Sequence, residues 1–72
     1  MDVERMRKAM AKMGYNQKKL ADASGITPEA IGRYLKNKRI PNSYQLRQIA
    51  HALHASMDYL MGDGDEDLNG GG

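Results

Sequence analysis

Residues 17–35 read Gln17-Lys18-Lys19-Leu20-Ala21-Asp22-Ala23-Ser24-Gly25-Ile26-Thr27-Pro28-Glu29-Ala30-Ile31-Gly32-Arg33-Tyr34-Leu35. Two helix starts and one stop lie in and beside this stretch. Asn16 is placed to cap a helix that begins at Gln17 and carries Leu20, Ala21 and Ala23 inward, and Gly25 stops it after barely two turns. Thr27 supplies a second capping oxygen, Pro28 takes the first helical position, and Glu29 meets the positive end of the dipole. Ile31, Tyr34 and Leu35 then form a buried stripe. Ala21 is small where the second helix must cross closely, Gly25 makes the sharp turn, and Leu20, Ile26, Ile31 and Tyr34 bury the corner. The spacing predicts two short helices meeting at one packed corner.

The flanks extend the same pattern. Upstream, Val3, Met6, Met10 and Met13 fall three or four apart with Arg5, Arg7, Lys8 and Lys12 between them, and Gly14 closes that helix. The methionines are read as core, because Met fills irregular gaps in a small domain; a cofactor or partner groove is the alternative. Downstream, Asn37 tolerates the left-handed region and ends the central helix before the basic loop Lys38-Arg39-Ile40-Pro41. A fourth helix runs from about Ser43 with Leu46, Ile49, Ala50 and Leu53 at helical spacing, and Asn42 and Gln45 stand at capping-box distance at its start. Ser56 caps a short fifth helix, Met57 to Met61, ended by Gly62. The six β-branched residues do not cluster, so no strand is expected. The fold class is all-α: five short helices over residues 1–62, then a flexible acidic, Gly-rich tail over 63–72.

The chain has 72 residues, room for one small domain. A domain this size buries only about 60% of its unfolded surface, which argues against a deep substrate cavity. There is no Cys, so disulfide scaffolds, thiolate zinc sites and Cys nucleophiles are excluded together. No apolar run approaches the roughly 20 residues of a membrane helix, and Met1-Asp2-Val3-Glu4-Arg5 does not open like a signal peptide. The net charge of +2 hides an asymmetry: all eleven Lys and Arg fall in residues 1–62 against five of the nine acids, a balance of +6. The remaining four acids lie in the tail with no base, a balance of −4. A basic body points to a polyanion partner.

The two helices around Gly25 have the layout of a helix-turn-helix, whose second helix can lie in the major groove of DNA. Their spacing resembles the lambda-repressor-like family of phage repressors, Cro proteins and bacterial relatives. The likeness continues through Lys38-Arg39-Ile40-Pro41, the Leu46–Leu53 segment and Ser56-Met57-Asp58-Tyr59-Leu60-Met61-Gly62, and covers about residues 3–62. It implies a compact five-helix DNA-binding domain with the helix-turn-helix at helices 2 and 3. It also implies a cytoplasmic, nucleoid-associated regulator, bacterial or phage-encoded, that needs no cofactor. The chain departs from the family in two respects. Where the family often pairs an Arg on the first helix with a Glu late in the recognition helix, this chain has Met10 and Leu35, an exchange of ion pair for apolar contact that is often neutral or stabilising. Met10 and Leu35 are therefore expected to touch. Ser24 replaces the usual apolar residue before the turn glycine.

A recognition helix enters the groove N-terminus first, which assigns base reading to Thr27, Pro28, Glu29, Gly32 and Arg33. Arg33 offers two parallel donors to guanine O6 and N7, or else holds a phosphate or lies free in solvent. Glu29 suits a cytosine amino group, or merely caps the dipole. Pro28 offers an apolar patch to a thymine methyl. Gly32 sits mid-helix at about 1 kcal/mol relative to Ala, read as drift or as room for close approach to the bases. Phosphate contacts are assigned to Gln17, at a helix head rich in free N–H groups, and to Asn37, Lys38, Arg39, Ser43 and Tyr44 around the loop. Lys36, Lys18 and Lys19 are weaker candidates, and Arg5, Arg7, Lys8 and Lys12 are read as a solvated outer face. Met57, Tyr59, Leu60 and Met61 are the expected dimer interface, by resemblance.

His51 and His54 have a spacing that can chelate a metal, but with no third ligand beyond Asp58 they are read as ordinary histidines. No serine has a nucleophile's setting and no phosphate-binding glycine signature is present, so neither catalysis nor a small-molecule substrate is expected. The leading function is a sequence-specific repressor binding an inverted-repeat operator as a homodimer. The alternative is a protein-interaction module on the same fold, antitoxin-like or bridging transcription factors.

Overall fold

Each helix starts on a side chain that accepts a backbone N–H its own ladder leaves free. The computed structural model describes residues 1–62, so the proposed tail at 63–72 lies outside the described residues. Helix α1 (Val3–Met13) is capped by Asp2, α2 (Gln17–Ser24) by Asn16, α3 (Pro28–Leu35) by Thr27, α4 (Ser43–Leu53) by Asn42 and α5 (Met57–Met61) by Ser56. At α4 the capping box is complete: Asn42 Oδ1 accepts from Gln45 N at 2.8 Å, and Gln45 Oε1 accepts from Asn42 N at 3.2 Å. Among the described residues there is no strand.

The stops also follow the backbone. Gly25, at φ 76°, makes the turn between α2 and α3 in a region where a Cβ is disfavoured. Two non-glycine residues take positive φ, Asn37 at 60° and His54 at 54°. Asn37 was expected to; His54, which ends α4, was not.

Helix α1 packs against α3, α4 and α5, while α2 packs against α3 and α4. At their meeting point Met6, Leu20, Ile31, Tyr34, Ile49 and Leu60 are almost wholly withdrawn from solvent. Met6 and Met10 are core residues, Met13 and Met57 pack half-buried at its edge, and Met61 is exposed. Met10 and Leu35 are both buried and border one recess.

Three expectations change. Ala23 is exposed, and Ser24 takes the inward place on α2. Ser24 is accommodated because its hydroxyl donates to the Ala21 carbonyl (3.4 Å) and accepts from Ile26 N (3.3 Å). Arg5 is not a solvated charge. Its guanidinium pairs with Asp2 (3.7 Å), donates to the Tyr59 carbonyl (3.1 Å) and lies 4.8 Å from the centre of the Tyr59 ring. With Asp2 N donating to the Leu60 carbonyl at 2.7 Å, the start of α1 satisfies carbonyls at the end of α5. Finally, Tyr59 and Leu60 belong to the core of a single chain, 8% and 0% exposed, because α5 turns them in against α1 and α4. Of the four residues assigned to a dimer interface, only Met61 and part of Met57 face outward.

Candidate nucleic-acid interface

The side of α3 that the core does not use begins with Thr27, Pro28 and Glu29 and continues one turn on with Arg33, all exposed. Ile31, Tyr34 and Leu35 are buried on the other side. An eight-residue helix is about 12 Å long, so these outward side chains lie within a span comparable to a major groove's width.

Side chains from three other helices fix this short element. At its head, Gln17 of α2 donates from Nε2 to the Pro28 carbonyl at 2.8 Å. Near its C-terminus the Tyr34 hydroxyl donates to Gln45 Oε1 of α4 at 2.7 Å, the same oxygen that completes the α4 capping box. At its end, Arg7 of α1 donates from Nη2 to the Leu35 carbonyl at 3.2 Å. Arg7 was read as a solvated charge; it is exposed, yet it serves the last carbonyl of α3. Nothing in the sequence sets it apart from the other basic residues of α1, because the contact spans 28 residues. Gln45 was read only as a helix cap, and nothing in the sequence announced its bond to Tyr34.

The basic loop leaves α3 through a defined turn. Lys38 N donates to the Arg33 carbonyl (2.8 Å) and Asn37 N to the Tyr34 carbonyl (3.0 Å), with Asn37 left-handed between them. This is the Schellman arrangement, with Asn in the place glycine usually takes. Lys36 before it and Lys38 and Arg39 after it are exposed to solvent, while Pro41 is buried on the far side of the loop. Ser43 is exposed at the start of α4, and Ile40 and Tyr44 are each 69% exposed beside the basic residues. The assigned phosphate contacts therefore fall at two ends of α3, Gln17 at its head and the Asn37–Tyr44 segment after its tail.

Gly32 is half-buried against α2. A Cβ built on it would stand 2.9 Å from Gln17 Nε2. The expectation that this glycine gives the bases room meets a nearer neighbour, because the Gln17 amide already occupies the space.

His51 and His54 are exposed along a shallow recess with Tyr15 and Gln48. Among the described residues no group of three or more His, Asp or Glu side chains is placed to hold a metal ion. No helix among them is long and apolar enough to cross a membrane.

A family model described as helix-turn-helix matches residues 6–60. The chain is also similar to the SPbeta prophage-derived uncharacterized HTH-type transcriptional regulator YonR of Bacillus subtilis (strain 168), with 35% identity over 58 residues. That match takes in 81% of this chain and 54% of the relative, so the chain spans about half the length of the regulator it resembles. No solved structure matches the chain.

Proposed function

The chain belongs to the helix-turn-helix family, Cro/CI type, and from that premise we propose that it is a sequence-specific double-stranded DNA-binding transcriptional regulator acting as a repressor. The observation that carries this reading is α3 itself, with an outward row of Thr27, Pro28, Glu29 and Arg33 on a helix held at its head by Gln17 and near its C-terminus by Gln45 and Arg7. Rigid presentation is what base readout needs, since a side chain must arrive in register with a base edge. In this reading α3 enters the major groove, Arg33 takes a guanine edge, Glu29 accepts from a cytosine amino group and Pro28 meets a thymine methyl.

Phosphates are held on either side, by Gln17 at one end and by Asn37, Lys38, Arg39, Ser43 and Tyr44 at the other. Residues 1–62 form the DNA-binding unit in this scheme. One short helix reads only a few base pairs, so two copies would act together on an inverted repeat, pairing beside α5 through Met61 and the outer edge of Met57. Regulators of this family are generally non-enzymatic, and a promoter is repressed here by occupancy alone.

The test is electrostatic. Binding to random duplex should weaken with salt, and replacing Lys38 and Arg39 together with Ala should weaken all duplexes alike. It should also flatten the slope of log affinity against log salt by roughly 0.9 per lost contact per subunit. Binding that ignores salt, or that needs a protein partner and no DNA, would replace this reading with the protein-interaction module.

A further inference from the structure

Gly32 interrupts a helix of only eight residues where Ala would be preferred, and the space it leaves is already taken. The Gln17 amide lies across it: Nε2 donates to the Pro28 carbonyl at 2.8 Å, and a Cβ on residue 32 would come within 2.9 Å of that same nitrogen. The Gln17–Pro28 hydrogen bond is exposed, so it contributes little to burying the core. What it fixes is the direction of a flexible side chain. With one N–H of its amide committed to Pro28, Gln17 keeps a second N–H and its Oε1, held at the junction where α2 and α3 begin.

We propose that Gly32 is a positioning residue whose missing side chain sets the Gln17 carboxamide as a preformed DNA contact. The inference rests on the DNA-binding reading above and assigns Gly32 a role in it different from direct approach to the bases. An oriented amide loses less rotamer freedom on binding than a free one, so the gain is in affinity more than in stability. In Gly32→Ala the displaced atom is the far end of a flexible chain, so Gln17 swings away and the fold persists.

The test is a double-mutant cycle read in two ways on the whole chain. Gly32→Ala and Gln17→Ala should each weaken binding to a selected duplex by about three- to tenfold, the size of one neutral hydrogen bond. The double variant should bind no worse than Gln17→Ala, because both changes remove the same contact. Losses that multiply, or a Gly32→Ala variant that binds like the parent, would overturn the proposal. In the free protein, the Gln17 side-chain NH2 resonances should move in Gly32→Ala toward those of a solvated amide; unmoved resonances would overturn it without any DNA. A parent chain that binds no duplex would overturn the DNA-binding reading and this inference together. Multiplying losses with an intact parent would overturn only the role of Gly32.

Discussion

Leu60 separates two accounts of the fifth helix. Resemblance to the family places it in a contact between two copies, whereas the structure buries it completely within one. Truncating a fully buried leucine to alanine costs about 2–5 kcal/mol, the lost transfer energy plus the cavity left behind. A folded unit the size of residues 1–62 has roughly 3–9 kcal/mol of total stability at about 0.05–0.15 kcal/mol per residue. Leu60→Ala should therefore remove a large share of it and lower the melting temperature by at least about 8 °C, since 1 kcal/mol is worth some 4–8 °C in a domain of this size. Met61→Ala, at a side chain 45% exposed, should leave stability within about 0.5 kcal/mol.

Urea and thermal unfolding followed by circular dichroism, each at two protein concentrations, read both effects. A core residue gives the same loss at both concentrations; an interface residue gives a loss that grows with concentration, because association stabilises the parent more as concentration rises. A Leu60→Ala variant that melts with the parent and has lost only self-association would overturn the core assignment of Leu60.

Two further substitutions probe the tethers. Tyr34→Phe should cost about 0.5–1 kcal/mol in chemical denaturation, the small end for one hydrogen bond, because Gln45 Oε1 still accepts from Asn42 N; a loss beyond about 3 kcal/mol would mean that the ring itself had been displaced. Ser24→Ala removes the acceptor of Ile26 N at a buried site and should destabilise by about 1 kcal/mol, whereas a gain in unfolding midpoint would show that water satisfies that N–H instead.

The helices were legible because their signals are local. Asn16, Thr27, Asn42 with Gln45, and Ser56 each cap the helix they precede, and Gly14, Gly25 and Gly62 stand where backbone must turn left-handed. What escaped the sequence depends on the packing of distant segments. Ala23 and Ser24 are neighbours at the end of a short helix, and which turns inward is set by where α3 and α4 lie rather than by periodicity. Arg5 and Arg7 look alike as charges on an amphipathic helix. One reaches the end of α5 and the other the end of α3, contacts spanning 54 and 28 residues. His54 in the left-handed region had no glycine to announce it. At the candidate site, the residue types on α3 were readable from capping and spacing, but the link from Gln17 to Pro28 over Gly32 exists only once α2 and α3 are folded together.

Whether α3 reads DNA through its exposed side is decided by selecting bound duplexes from a random library, with the parent chain and with Arg33→Ala. The parent should enrich an inverted repeat whose half-sites are centred about 34 Å, or roughly 10 base pairs, apart. Arg33→Ala should enrich the same repeat with the preference for one guanine in each half-site relaxed by about 1–3 kcal/mol. No enrichment by the parent, or the same preference at every position with and without Arg33, would contradict readout through α3.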